Sequence, residues 1–135
     1  MEIRILPARP EHLDEATEFV ENILESAGCP MKTMLQVRLA VEEIFINIAS
    51  YAYPSGGGQA ELRCELLPDP KRIRICFLDS GTAFDPLEKE DADTSEEALM
   101  GRVGGLGILL VKKTMDAVSY VRRDEKNILT MEKKL

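Results

Sequence analysis

The hydrophobic pattern of this chain switches between a period of two and a period near 3.6, and each switch marks an element. Residues 2–6 alternate modestly and stop at Pro7, which predicts a short strand at a sheet edge. Pro10 opens a helix running to about Ala27, because Leu13, Ala16, Phe19, Val20, Ile23 and Leu24 recur at helical spacing opposite acidic residues. Gly28 stops this helix and Pro30 prevents its continuation. A longer helix covers Leu35–Tyr53 and is broken by Pro54-Ser55-Gly56-Gly57-Gly58. Gln59–Leu67 alternates cleanly, with Ala60, Leu62, Cys64 and Leu66 on one face; Lys71–Asp79 returns with Ile73, Ile75 and Phe77 on one face. The Pro68-Asp69-Pro70 turn between them predicts an antiparallel hairpin.

Asp79-Ser80-Gly81 ends the hairpin, and Thr82–Val103 reads as loop with one helical turn near Glu96–Met100. A connection of that length is unusual inside a compact domain, and such loops often act as lids. A helix over Ile108–Asp116 follows Gly104-Gly105-Leu106-Gly107, and strands over Ala117–Arg122 and Asn127–Glu132 close the chain. Hairpins separated by helices predict an α+β two-layer sandwich: a mixed, largely antiparallel sheet with helices covering one face. At 135 residues, one domain spanning 1–135 is expected, with a lid loop over about 85–103.

The long helix carries an anomaly. Gln36, Glu43, Asn47 and Ser50 interrupt an otherwise apolar segment, and on a helical wheel they fall within roughly 60° of one another. Met34, Val37, Val41, Ile44 and Ile48 flank this stripe on one side, and Leu35, Leu39 and Ile46 on the other. A carboxylate and a carboxamide one turn apart and walled by aliphatics are costly to bury without partners, so something polar should face them. Glu42, by contrast, projects beside Arg38 as a surface charge.

Composition refines the picture. The chain is 44% hydrophobic and 30% charged, as ordinary globular proteins are. Its net charge of −7 argues against general nucleic-acid binding. Asp85–Ala98 holds seven acids and one lysine, so nearly all of that charge sits in one segment, read as solvated loop. The odd count of three cysteines, without a CxxC pair, indicates neither a disulfide framework nor a zinc site. No apolar run has the length of a signal peptide or a membrane span, so a cytoplasmic location without membrane contact is expected.

Three constellations could carry chemistry. Glu43 and Asn47 form an oxygen-rich pair suited to Mg²⁺ and to accepting a proton from an attacking hydroxyl, or else they make a helix–helix polar contact. Asp79 ends a buried strand, where it could accept a hydrogen bond from the exocyclic amine of a base, with Gly81 permitting close approach; Asp-Ser-Gly is equally a common turn. Arg102-Val103-Gly104-Gly105-Leu106-Gly107 runs into a helix, where free N–H groups could hold phosphate oxygens, or it is a hinge.

The order and spacing of these boxes make the chain resemble the GHKL superfamily of ATP-binding domains. Glu43-Ile44-Phe45-Ile46-Asn47 resembles its N box, Asp79-Ser80-Gly81 its first glycine box and Gly104-Gly105-Leu106-Gly107 its second. The phrase Asp79-x-Gly81-x-x-Phe84-Asp85-Pro86 and the short length are similar to the anti-sigma-factor serine kinases of bacterial partner-switching systems. The resemblance implies the Bergerat sandwich, with ATP and Mg²⁺ as cofactors. It implies that Glu43 is the general base, that Asn47 ligates Mg²⁺ and that Asp79 binds the adenine amino group with Gly81 beside it. By the same resemblance Gly104, Gly105, Leu106 and Gly107 donate to phosphates, Arg102 reaches the terminal phosphate, and Thr130 supplies a hydroxyl near adenine. Ala83 stands where many relatives have a second glycine, which makes that turn less permissive, and the acidic lid repels a triphosphate unless it swings outward or Mg²⁺ offsets it.

The activity implied is a protein serine/threonine kinase that phosphorylates a small anti-sigma-factor-antagonist-like protein and sequesters a sigma factor or similar regulator. The alternative is a non-catalytic ATP-binding regulator acting by sequestration. A homodimer using the first strand and helix is implied as well. A detached sensor kinase is disfavoured, because the sole histidine, His12, begins the first helix and no phosphoacceptor helix is present.

Overall fold

A computed structural model describes residues 1–88 and 105–135, with the side chains of residues 105 and 106 excepted. Five strands form one sheet: β1 (Glu2–Pro7), β2 (Gln59–Leu67), β3 (Arg72–Asp79), β4 (Ala117–Arg123) and β5 (Lys126–Lys134). Their spatial order is β1-β2-β3-β5-β4, and every pairing is antiparallel. The sheet is thus wholly antiparallel among the described strands rather than mixed. Helices α1 (Leu13–Ser26), α2 (Met31–Asn47) and α3 (Gly105–Thr114) cover one face.

Local signals explain the boundaries. Pro10–His12 form a 3₁₀ turn before α1, and His12 is occupied by Glu15 through an Nδ1–Oε1 contact of 2.8 Å. At the far end Gly28 takes φ +71°, and the Cys29 N–H reaches back to the Leu24 carbonyl at 3.2 Å, so the orphan carbonyls of α1 are satisfied. Helix α2 begins at Met31, directly after Pro30, four residues earlier than the apolar pattern suggested. It gives way after Asn47 to a π turn, Ile48–Ala52, instead of continuing to Tyr53. There the Ala52 carbonyl leaves the helical ladder and accepts the Thr82 N–H at 2.8 Å. Helix α3 begins at Gly105, not Ile108, and ends at Thr114, so part of the expected glycine loop is its first turn.

The core lies between the helices and the inner sheet face. Phe45, Val37, Val41 and Ile44 of α2 meet Leu62, Ile73, Ile75, Phe77 and Met131 of the sheet. This buried arc of α2 is centred on one flank of the polar stripe. The other flank, Leu35 and Leu39, is open to solvent at 50% and 46% exposure. The stripe therefore lies on the rim of the buried face, where a cleft can open, and not inside an apolar wall. On the outer sheet face Glu132 pairs with Arg72 at 2.8 Å and with Arg74 at 3.3 Å. The two guanidinium groups, Arg72 first, hold the Glu132 carboxyl below the usual glutamate range. Among the described residues no helix is long and apolar enough to cross a membrane.

Candidate nucleotide-binding site

A narrow cleft, open to solvent on one side, lies between the C-terminal end of α2 and the ends of β3, β4 and β5. Ile44, Ile48, Phe77 and Leu129 supply apolar walls, and Phe84 and Pro86 form part of the rim. Its polar lining comes from Asn47, Asp79, Thr82, Tyr120 and Asn127. Apolar walls with a few convergent polar groups suit a small heterocyclic ligand.

Asp79 is buried at 6% exposure at the end of β3. Its Oδ1 accepts the Gly81 N–H at 3.0 Å and the Asn127 Nδ2–H at 2.9 Å. Gly81 was expected to leave room for a ligand. Its missing side chain makes room for the protein itself, since a Cβ there would fall on the Ala52 carbonyl. Its backbone is not left-handed, so space and not φ requires glycine. Arg122 holds the same turn from outside, donating from Nη1 to the Gly81 carbonyl at 2.8 Å. Ala83 is exposed and also outside the left-handed region, so the absent second glycine introduces no strain. Tyr53 closes the corner: its hydroxyl donates to the Gln59 carbonyl at 2.6 Å and accepts the Ser80 N–H at 2.9 Å.

Asn47, the last residue of α2, lines the cleft. Glu43, one turn earlier, does not line it. Its carboxylate is covered by α3, because a Cβ on Gly107 would collide with Oε2. Burial, and secondarily the neighbouring Glu42, push the Glu43 carboxyl above the ordinary glutamate range. Glu42 itself sits outside, 3.2 Å from Arg38, as its position on the helix predicted. The polar stripe is therefore divided: Asn47 faces the cleft, Glu43 faces α3, and Ser50 is exposed.

Thr130 does not join this group. Side chains alternate along β5, so Asn127, Leu129 and Met131 point inward and Thr130 points outward, where its Oγ1 lies 3.3 Å from Cys76 Sγ. The inward polar position is Asn127, and its partner is Tyr120. Neither was singled out from sequence; the one available signal was an asparagine on the apolar parity of a strand. Gly105, Leu106 and Gly107 all lie in the first turn of α3, where helical N–H groups lack intrahelical partners. Arg102, Gly104, the helical turn near Glu96–Met100 and most of the expected lid lie outside the described residues.

The residues present fit a nucleotide with a hard divalent cation. Among the described residues no cluster of three or more His, Cys, Asp or Glu could hold a metal alone. A single carboxamide beside a phosphate-bearing ligand is the sparse protein contribution that Mg²⁺ tolerates. Cys64 is inert here, since burial foremost raises its thiol to about 12.

Comparison with known proteins bears on the family and the fold. Residues 6–133 match the family described as "Histidine kinase-like ATPase domain". The serine-protein kinase RsbW of Listeria monocytogenes is 31% identical over 117 residues, covering 84% of this chain and 74% of that protein. Among solved structures, the SiaB–SiaC complex from Pseudomonas aeruginosa contains a chain similar in fold, with a TM-score of 0.63 at 16% identity over 100% of this chain and 90% of that one. The blue-light activated histidine kinase of Erythrobacter litoralis EL346 aligns with a TM-score of 0.57 at 19% identity, over 78% of this chain but only 31% of that larger one.

Proposed function

The chain belongs to the family of histidine kinase-like ATPase domains, and on that footing we propose that it is an ATP-dependent protein serine kinase of a partner-switching system. In this reading it is a single cytoplasmic domain that acts as a homodimer. It phosphorylates a serine on a small protein of the anti-sigma-factor-antagonist kind and, when that partner is absent, sequesters a sigma factor or similar regulator. The observation that carries the reading is the meeting of Asn47 and Asp79 in one apolar-walled cleft, with Glu43 one helical turn from Asn47. The similarity to RsbW, named a serine-protein kinase, supports the choice of acceptor.

In this reading Asp79 accepts the amino group of adenine, while Ile44, Ile48, Phe77 and Leu129 exclude water from the faces of the ring. Asn47 would hold Mg²⁺, which would neutralise phosphate charge. The N–H groups of Gly105, Leu106 and Gly107 in the first turn of α3 meet the phosphates, and Gly104 and Arg102 extend that contact. Glu43 takes the proton of the attacking serine hydroxyl. Its raised pKa makes it a stronger base than an exposed glutamate, at the cost of being charged less readily. Catalysis otherwise rests on positioning and charge stabilisation.

One observation favours a second reading, a regulator that binds ATP without transferring phosphate. Glu43 is covered by Gly107 and does not face the cleft. Incubation with radiolabelled ATP and the cognate partner separates the two. Transfer that disappears in Glu43→Ala supports the kinase, whereas tight nucleotide binding without turnover supports the regulator.

A further inference from the structure

Helices α1 and α2 are joined by the short connection Ala27–Pro30 and pack side by side, and their solvent side carries two adjacent rows of residues. On α1 the row is Asp14, Glu18, Glu21 and Glu25; on α2 it is Leu35, Leu39, Glu42 and Ile46. Both step by four, three and four residues, the spacing that keeps a row on one side of a helix. Arg38 ties the rows together. Its Nε lies 3.2 Å from Glu21 Oε1 across the helix pair and 3.2 Å from Glu42 Oε1 on its own helix.

The α2 row is apolar where a solvated helix would be polar. Leu35 and Leu39 are 50% and 46% exposed, and Met31, one turn before Leu35, is 68% exposed. A single exposed leucine needs no explanation, but a run at this spacing is the pattern with which one helix receives another. The α1 row is acidic without compensation. Helix α1 holds five carboxylates and no lysine or arginine. Asp14, Glu18 and Glu25 are exposed and have no ion-pair partner among the described residues. Even the central group is short of donors, because the Arg38 Nε–H goes to Glu42 and leaves Glu21 Oε1 without a hydrogen bond. One cation there serves two carboxylates.

These features select an occupant. A second copy presenting the same face would set acid row against acid row, and an anionic surface would be repelled for the same reason. A helix with leucine-type residues along one seam and lysine or arginine on the flank toward α1 meets both rows at once. It buries Leu35 and Leu39 and supplies the missing cations. We propose that the α1–α2 face is a docking site for a basic amphipathic helix of a partner protein. The inference goes beyond the kinase reading and does not depend on it, since none of these residues lines the cleft.

The test uses the full chain and a fluorescently labelled synthetic peptide of about three heptads, with leucine along the seam and lysine on one flank. Anisotropy should show saturable binding that weakens as salt is raised. The same peptide with glutamate in place of lysine should not bind. Leu35→Ser/Leu39→Ser should weaken binding at least about tenfold, whereas Val121→Ser, at a comparably exposed apolar residue on β4, should leave it unchanged. Glu18→Gln/Glu25→Gln should weaken it about fivefold and flatten the salt dependence, and this variant decides the matter if the leucine variant does not fold. Affinity indifferent to the leucines, or equal binding of the glutamate peptide, overturns the proposal. So does a dimer of the chain in sedimentation that Leu35→Ser/Leu39→Ser dissolves, because the face then belongs to a second copy.

Discussion

Gly107 of α3 lies directly on the carboxylate of Glu43 in α2, so closely that a side chain of even one carbon would overlap Oε2. The contact couples the turn that would meet phosphates to the group that would act as base. Gly107→Ala must turn the Glu43 carboxylate, the free end of a flexible side chain, away from α3, and should cost about 0.5–1.5 kcal/mol of stability. Shortening Glu43 removes the obstacle, so Gly107→Ala should cost much less in a Glu43→Ala background. A double-mutant cycle by urea denaturation should give an interaction energy of at least about 0.5 kcal/mol; strict additivity would mean that the contact carries no energy.

Gly81 faces a different constraint. Its Cα sits against the Ala52 carbonyl, which also accepts the Thr82 N–H at 2.8 Å. Gly81→Ala should separate the π turn from the end of β3 and destabilise the fold by about 1–3 kcal/mol. The shift should appear as a lower denaturation midpoint without any nucleotide present. A variant as stable as wild type but deficient in binding would instead restore the view that Gly81 only makes room for a ligand.

Glu43 should show its burial in pH dependence. Its folded pKa is raised, chiefly by burial, so the folded chain holds the proton more tightly than the unfolded chain. For a raised acid, stability falls as pH climbs from the unfolded glutamate value through the folded one, and the penalty is absent below both. Glu43→Gln should therefore melt higher than wild type at pH 8 and equally at about pH 3.5, below the ordinary glutamate value. The acid limb of phosphate transfer by wild type should lie above the usual glutamate range, because the base must be deprotonated. Equal melting at both pH values would contradict the burial of this carboxylate.

Asn47 should matter only when the cation is present. Asn47→Ala should weaken nucleotide binding about tenfold in Mg²⁺, with little change in a chelator. Calorimetry under both conditions checks this, and magnesium-dependent affinity that survives the substitution unchanged removes Asn47 from the metal site.

The sequence by itself determined most of the elements. The strands at Gln59–Leu67 and Lys71–Asp79 and their hairpin were legible because alternation and turn residues are local signals, and they are observed at 59–67 and 72–79. The end of α1 was marked by Gly28 and Pro30 for the same reason. The division of Glu42 from Glu43 followed from helical geometry alone. Tertiary structure decided what those residues meet. Leu35 and Leu39 are apolar yet exposed, since periodicity identifies an apolar flank but not whether a neighbour covers it. Thr130 turned away from the cleft and Asn127 toward it, because the parity of a strand is set by pairing with β3, some fifty residues earlier in the chain. The role of Gly81 depended on a carbonyl released by a π turn 29 residues before it, and that of Gly107 on a glutamate in another helix. Local pattern specifies which face a residue takes within its element; only packing between distant elements brings Asp79, Asn127 and Tyr120 together at one end of the cleft.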